Sequence, residues 1–247
     1  VLSGAITADQ LNITATPQVV DGKNSNYIDL NSDGVGTLTS WFYGNGTTTS
    51  TKTTVQVVLA GQREIVFTGL NHDGTYITKT LTVQVDTLIG VAPEWGILCG
   101  TGEKNWVWDN TLSAVWGNGG YKGNTSPGWW TVAVADIDGQ AKGEGLGAKM
   151  TFAVDGSGLT KIKSDGSSTK GSFVFDMSAI TKDDGGAVWA KGKLTTKNVT
   201  VLCGKSPNEG NGPVYSYDIL KLDDQKMVLS YPEPGAGSWG TAWFWMF

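Results

Sequence analysis

Histidine, arginine and cysteine are nearly missing from this chain of 247 residues, which holds one His, one Arg and two Cys. Each scarcity excludes a class of chemistry. The one histidine, His72, stands in an Asn-His-Asp-Gly turn, so a Ser-His-Asp or Cys-His relay has nowhere to assemble. Cys99 and Cys203 are too few and too far apart for a zinc site. Their surroundings, WGILCGTG and VTVLCGKS, read as strand ends, and two buried thiols or one long-range disulfide both fit. Arg63 is the lone arginine and the lysines are scattered, with 18 basic against 23 acidic side chains and a net charge of -5. Phosphate-backbone binding needs clustered cations, so no nucleic-acid partner is expected. No apolar run approaches the roughly 18–20 residues of a membrane span, and Val1 to Gln10 lacks the basic-then-apolar layout of a signal peptide. The chain reads as a soluble, mature protein that would reach a membrane only through a lipid anchor lying outside it.

Helical periodicity is also lacking: no stretch repeats apolar residues at helical spacing over three turns. What is present is glycine, 35 residues, together with abundant Thr, Ser, Asn and Asp, and a hydrophobic share of 39 % that is enough for packed cores. The pattern is all-β, with short strands and many turns. Composition divides the chain in two, because ten of the eleven tryptophans lie beyond the segment Asp86–Pro93. We place one domain at 1–88 and a tryptophan-rich one at 89–247.

The first domain shows strand-like runs at Asn12–Ala15, Tyr27–Leu30, Thr37–Tyr43, Thr54–Leu59, Glu64–Thr68 and Tyr76–Val85, separated by DGKNSN, NSDGVG, GNGTTTS and NHDG. That spacing predicts a sandwich of about seven strands. Alternation sends Trp41 and Tyr43 to one face and Phe42 to the other, making Trp41 a core anchor. The run WFYGNG, then Val55–Phe67, then Thr80-Leu81-Thr82-Val83-Gln84-Val85 resembles a PKD domain. That family carries a Trp-x-Phe-Gly-Asp-Gly turn, a Gly-containing hairpin and a closing T-x-T-V strand. Here Phe42 replaces a polar residue, Tyr43 the Phe and Asn45 the Asp. The resemblance implies an immunoglobulin-like spacer or adhesive module outside the cell.

In the second domain, runs such as Trp129–Ala135, Gly147–Val154, Tyr217–Leu222 and Thr241–Phe247 predict eight to ten strands, which suits a jelly-roll sandwich. Only one face of such a strand enters the core. Trp129 and Trp130 are neighbours, so one of them must leave the core. In Trp243-Phe244-Trp245-Met246-Phe247 one alternating set fills the core, and the other lines a groove or is covered. Rigid exposed indoles are good sugar platforms, because pyranose C–H faces stack on them while polar neighbours take the hydroxyls. The loops Trp116–Trp130 and Pro232–Gly240 supply the candidates: Trp116, Tyr121, Trp129, Trp130 and Trp239 as platforms, with Asn118 or Asp109 as hydrogen-bonding partners.

KNWVWD, AVWGNGGY, PGWW, YDILKLDDQKMVLSY and WGTAWFWMF together resemble the jelly-roll domains that follow PKD domains in Bacteroidetes surface lipoproteins. Such domains are related in architecture to carbohydrate-binding modules and laminarinase-like sandwiches. The resemblance implies an outer-surface location and a glycan as partner; it supplies no catalytic residue. None of the six glutamates stands in the laminarinase-like Glu-x-Asp-x-x-Glu pattern, and Asp136-Ile137-Asp138 with Glu144 runs into a Gly-Gln turn, so non-catalytic binding is favoured over hydrolysis. No cofactor is expected, though Asp136 with Asp138, or Asp183 with Asp184, offers a structural calcium site. A structural or adhesive surface protein, a laminarinase-like hydrolase and a toxin-like membrane-binding sandwich are the competing readings. A monomer is expected.

Overall fold

A computed structural model describes residues 5–210 and 212–247. It is all-β and divides into two compact units, the first running to Gly96 with Val154–Gly156, the second comprising Ile97–Ala153 and Ser157–Phe247. The segment of the composition shift, Asp86–Pro93, lies at the end of the first unit, ahead of the division after Gly96. Its first part is still fastened to the first unit: the Ile89 N–H donates to Asn26 Oδ1 at 2.8 Å, and Gln56 Nε2 donates to the Ile89 carbonyl at 2.8 Å.

In the first unit, strands β1 (Thr14–Val20), β2 (Lys23–Asn31) and β5 (Lys52–Gln56) form one sheet. Strands β3 (Leu38–Phe42), β4 (Thr47–Thr48), β6 (Gly61–Leu70) and β7 (Tyr76–Val85) form the other, in the order β4-β3-β6-β7. The DGKNSN stretch is shorter as a turn than its composition predicts. Only Asp21 and Gly22, both at positive φ (50° and 74°), make the two-residue hairpin, and Lys23 already pairs with Val20. Trp41 is fully buried and meets Phe67 edge-on at 4.9 Å, with Ile28, Leu30, Ile65 and Val85 around them. His72 lies in the exposed β6–β7 turn, which Asn71 closes by donating its N–H to the Thr75 carbonyl.

The second unit begins with α1 (Glu94–Cys99), whose last residues belong to it, and continues through β8 (Glu103–Trp106), β9 (Trp116–Gly120), β10 (Trp130–Val132), β11 (Lys149–Ala153), β12 (Gly158–Ile162) and β13 (Ser168–Asp176). A small hairpin of β14 (Thr181–Lys182) and β15 (Val188–Ala190) follows, and then β16 (Gly192–Lys197), β17 (Ser216–Leu222), β18 (Met227–Pro232) and β19 (Thr241–Met246). Apart from the hairpin, these strands form one antiparallel sheet of ten, ordered β10-β9-β19-β18-β17-β16-β13-β12-β11-β8. The layered, all-β character matches the jelly-roll expectation, while the strand order is for the most part a meander.

Chain connectivity forces this sheet to curl. Strands β8 and β9 lie eight intervals apart in it, which in a flat sheet is about 38 Å at a spacing of ~4.8 Å. The ten Cα–Cα steps from Trp106 to Trp116 span at most about 35 Å when fully extended. They are not fully extended, since Leu112 donates back to the Asp109 carbonyl in a turn. Along the way Trp108 stacks on Phe247 at 4.6 Å, and the Asp109 N–H reaches the Met246 carbonyl at 3.1 Å. The concave interior is filled by Trp116, Phe152, Phe173, Tyr217, Trp243 and Trp245, all essentially inaccessible. The alternate residues of β19 are covered on the outer face, where Phe244 and Met246 join Trp189, Ala190, Leu220 and Val228 beneath the β15 hairpin.

Candidate binding surfaces

Strand β9, Trp116-Gly117-Asn118-Gly119-Gly120, has three glycines in five residues, and the missing side chains let two loops settle on it. The first loop returns at Asn118: its carbonyl accepts the Gly128 and Trp129 N–H groups at 2.9 and 3.0 Å, and its Oδ1 accepts the Trp130 N–H at 3.0 Å. Asn124 Oδ1 takes the Gly120 N–H at 2.7 Å. The second loop is tied by reciprocal bonds, Tyr121 N–H to the Gly240 carbonyl at 2.7 Å and Trp239 N–H to the Tyr121 carbonyl at 2.8 Å.

That clasp fixes Trp239. Its backbone is in the left-handed region, φ 63°, a conformation that disfavours a bulky residue. Its indole lies across Gly120 and Gly123, where a Cβ would come within 2.5 and 2.6 Å of ring atoms. Even so the residue is 62 % exposed, so ring surface not packed on the glycines meets solvent. Trp129, 54 % exposed, lies just before β10 and is tied to β9 by the bond from its N–H to the Asn118 carbonyl. Trp130 turns the other way, as parity requires, and meets Trp116 and Trp243 edge-on at 5.3 and 6.0 Å.

Five of the expected ligand-binding residues serve other purposes: Asn118 binds the returning loop and Trp130 packs inward, and three more are engaged elsewhere. Trp116 is 1 % exposed and gives its indole N–H to the Gly204 carbonyl at 2.9 Å, so it is a core ring and not a platform. Tyr121 packs edge-on against Trp189 at 5.1 Å in the outer cluster, and burial raises its phenol pKa. Asp109 lines a groove of about 670 Å³ whose lining includes none of the five proposed platforms, and its carboxylate holds Lys226 at 2.8 Å. Hydrogen bonds from Lys226 and Thr111 keep its pKa below the usual carboxylate value.

The sequence reading missed two features. Glu233, in the Pro232–Pro234 turn, accepts the Trp243 indole N–H at 2.9 Å and pairs with Lys205 at 3.0 Å, so the loop that bears Trp239 is anchored to the core. Of the groove lysines, Lys221 and Lys226 flank the single β17–β18 turn, and Lys191 joins them from the β15–β16 connection, 30 residues earlier than Lys221, so their convergence is not visible locally.

The two buried carboxylates of this unit are both engaged by lysines. Glu144 lies 3.3 Å from Lys161 and 3.4 Å from Lys163 and accepts the Cys203 N–H, whereas Asp218 sits 3.6 Å from Lys193. Asp136 and Asp138 are exposed in a 3₁₀ turn, Asp138 taking the Gly145 N–H at 2.9 Å. Asp183 closes its own turn by accepting the Ala187 N–H, and Asp184 accepts the Ser238 hydroxyl. Among the described residues no three His, Cys, Asp or Glu side chains gather as a metal site. Both cysteines are buried and free. No family model matches the chain, and no curated protein matches it.

Proposed function

We propose that the second unit binds glycan without catalysis, using Trp239 as its principal platform and Trp129 as a second exposed ring. The observation that carries this reading is Trp239 itself. A large apolar side chain sits in a backbone conformation that disfavours it, packed on two glycines and yet 62 % exposed, so it keeps a fixed apolar surface open to solvent. Its rigidity removes the ordering cost that a mobile side chain would bring to stacking. The lysine-paired carboxylates favour binding over hydrolysis, because each buried acid faces a lysine rather than a second carboxylate. A glycan partner also suits work at the outer cell surface, the setting implied by the resemblance to PKD-bearing lipoproteins.

Aromatic stacking is worth roughly 1–3 kcal/mol per ring on the scale known for nucleobases, so two rings give millimolar-to-micromolar affinity. The test is a glycan array on the intact chain, followed by tryptophan-fluorescence titration of any hit with wild type and Trp239→Ala. Loss of binding in the variant at an unchanged melting temperature supports the platform. Undiminished binding sinks it.

A further inference from the structure

The groove on the outer face of the second unit has a floor and a rim of different chemistry. Leu220, Val228 and Met246 form the floor, and Leu220 and Lys221 share this face because a register irregularity between Ile219 and Lys221 breaks the alternation of β17. Ser113, Thr125 and Ser126 bring hydroxyls to the walls. The rim carries three ammonium groups, Lys191, Lys221 and Lys226, against one lining carboxylate, Asp109. At about 670 Å³ the groove falls within the roughly 300–1,000 Å³ of small-molecule sites.

The three lysines differ in what already holds them. Lys226 is neutralised by Asp109 at 2.8 Å. Lys221 reaches Asp223 at 3.2 Å, but both side chains are about half exposed, and an exposed pair of that kind is weak and readily exchanged for another anion. Lys191 is exposed and makes no ion pair among the described residues. The chain as a whole carries a net charge of -5, so a surplus of cations around its 670 Å³ concavity does not follow from a generally basic surface. An apolar floor, hydroxyl-bearing walls and a cationic rim match one ligand chemistry: a sugar ring with a C–H face, hydroxyls and an attached anion. Pro127 of the groove wall stands two residues from Trp129, at most about 7.6 Å between Cα atoms. The loop that bears an exposed indole therefore also walls the groove.

We infer that this groove is a second subsite which selects acidic glycans, those bearing uronate or sulfate groups, with Lys191 as the anion-binding side chain and Lys221 in support. The sugar part of the inference rests on the glycan reading above; the anion part rests on the groove alone.

The test is an array of uronate-bearing, sulfated and neutral glycans, probed with the full chain and with Lys191→Glu, Lys191→Ala and Trp239→Ala. Lys191 is exposed, so its variants should melt with wild type, and a matching melting temperature is the check that they fold. The expected result is binding confined to acidic glycans, weakened by added salt and weakened about tenfold or more in Lys191→Glu, on the scale of one hydrogen bond to a charged group. Neutral hits that Lys191→Glu leaves intact overturn the inference, and if Trp239→Ala abolishes them the platform reading survives alone. Acidic hits indifferent to Lys191→Glu overturn it equally. Acidic hits lost in Lys191→Glu but retained in Trp239→Ala keep the groove and remove the platform. An array without any hit overturns both.

Discussion

The Trp239 indole lies across Gly120, where a Cβ would sit 2.5 Å from the ring. The platform's position is therefore encoded in a residue 119 places earlier in the chain. Gly120→Ala and Gly123→Ala should each push the indole off its seat while leaving Trp239 itself present. The expected outcome is weakened glycan binding and an altered near-ultraviolet circular dichroism spectrum, with a shift in melting temperature well below that of a core change. Trp243→Ala is the contrast: its ring is fully buried, and its loss should destabilise the unit by about 3–5 kcal/mol. Binding by Gly123→Ala at wild-type strength would mean that the seat of the ring is irrelevant.

Glu144 ties three segments of the second unit together, and its removal should be felt as lost stability. Its side chain and that of Lys161 are only 11 % and 12 % exposed. Lys161 has one further partner, Thr200 Oγ1 at 2.9 Å, and the Cys203 N–H loses its acceptor when the carboxylate goes. Breaking a buried pair from one side typically costs about 3–5 kcal/mol, so Glu144→Ala should lower the denaturation midpoint by an amount of that order. A double change, Glu144→Gln with Lys161→Met, should recover part of it, because no charge is then left buried. Urea titration of the three proteins checks both statements.

How much of this was legible in the sequence depended on the range of the cause. Parity is local: the opposed fates of Trp129 and Trp130, and the buried alternation of Trp243 and Trp245 against Phe244 and Met246, follow from a two-residue repeat. Tyr121 and Asp109 could not be placed that way. Tyr121 is half-buried because the β14–β15 hairpin, more than 60 residues later, brings Trp189 against it. Asp109 is drawn into the groove by Lys226, 117 residues away. Trp239 was visible as a loop aromatic, but its exposure is set by glycines on another strand. The single curled sheet was hidden for the same reason, since connection length limits which strands can be neighbours without naming them.

The cysteine pairing that spacing left open is answered by the structure, in which both thiols are free. Cys99 is inaccessible and burial pushes its thiol pKa up to about 12, while Cys203, buried beside the Glu144 carboxylate, is raised well above the ordinary thiol value. Thiolate is the reactive form, so native protein should resist iodoacetamide at about pH 8 and take up two labels once unfolded. Mass spectrometry without reduction should show no loss of two hydrogens. Rapid labelling of the native chain would place at least one thiol near solvent.

Asp218 provides a pH dependence whose sign can be worked out. The residue is 4 % exposed on the outer face of β17, across from Ser230, whose hydroxyl is buried without a hydrogen-bond partner among the described residues. Burial raises the Asp218 pKa, and Lys193 at 3.6 Å opposes that shift without cancelling it. The folded chain thus binds this proton more tightly than the unfolded chain, where a carboxylate titrates near ~3.9. Between that value and the raised folded one, folded protein carries the excess of protons, so Asp218's contribution to stability falls as pH rises through the window. The penalty is complete above the folded pKa and vanishes below the unfolded one. Asp218→Asn, neutral throughout, should therefore be more stable than wild type at about pH 7, with the advantage shrinking as pH falls toward about 4. Urea midpoints of both proteins at the two pH values measure the difference with other titrating groups held in common. If Asp218→Asn is instead the weaker protein at neutral pH, attraction to Lys193 outweighs the cost of burying the carboxylate.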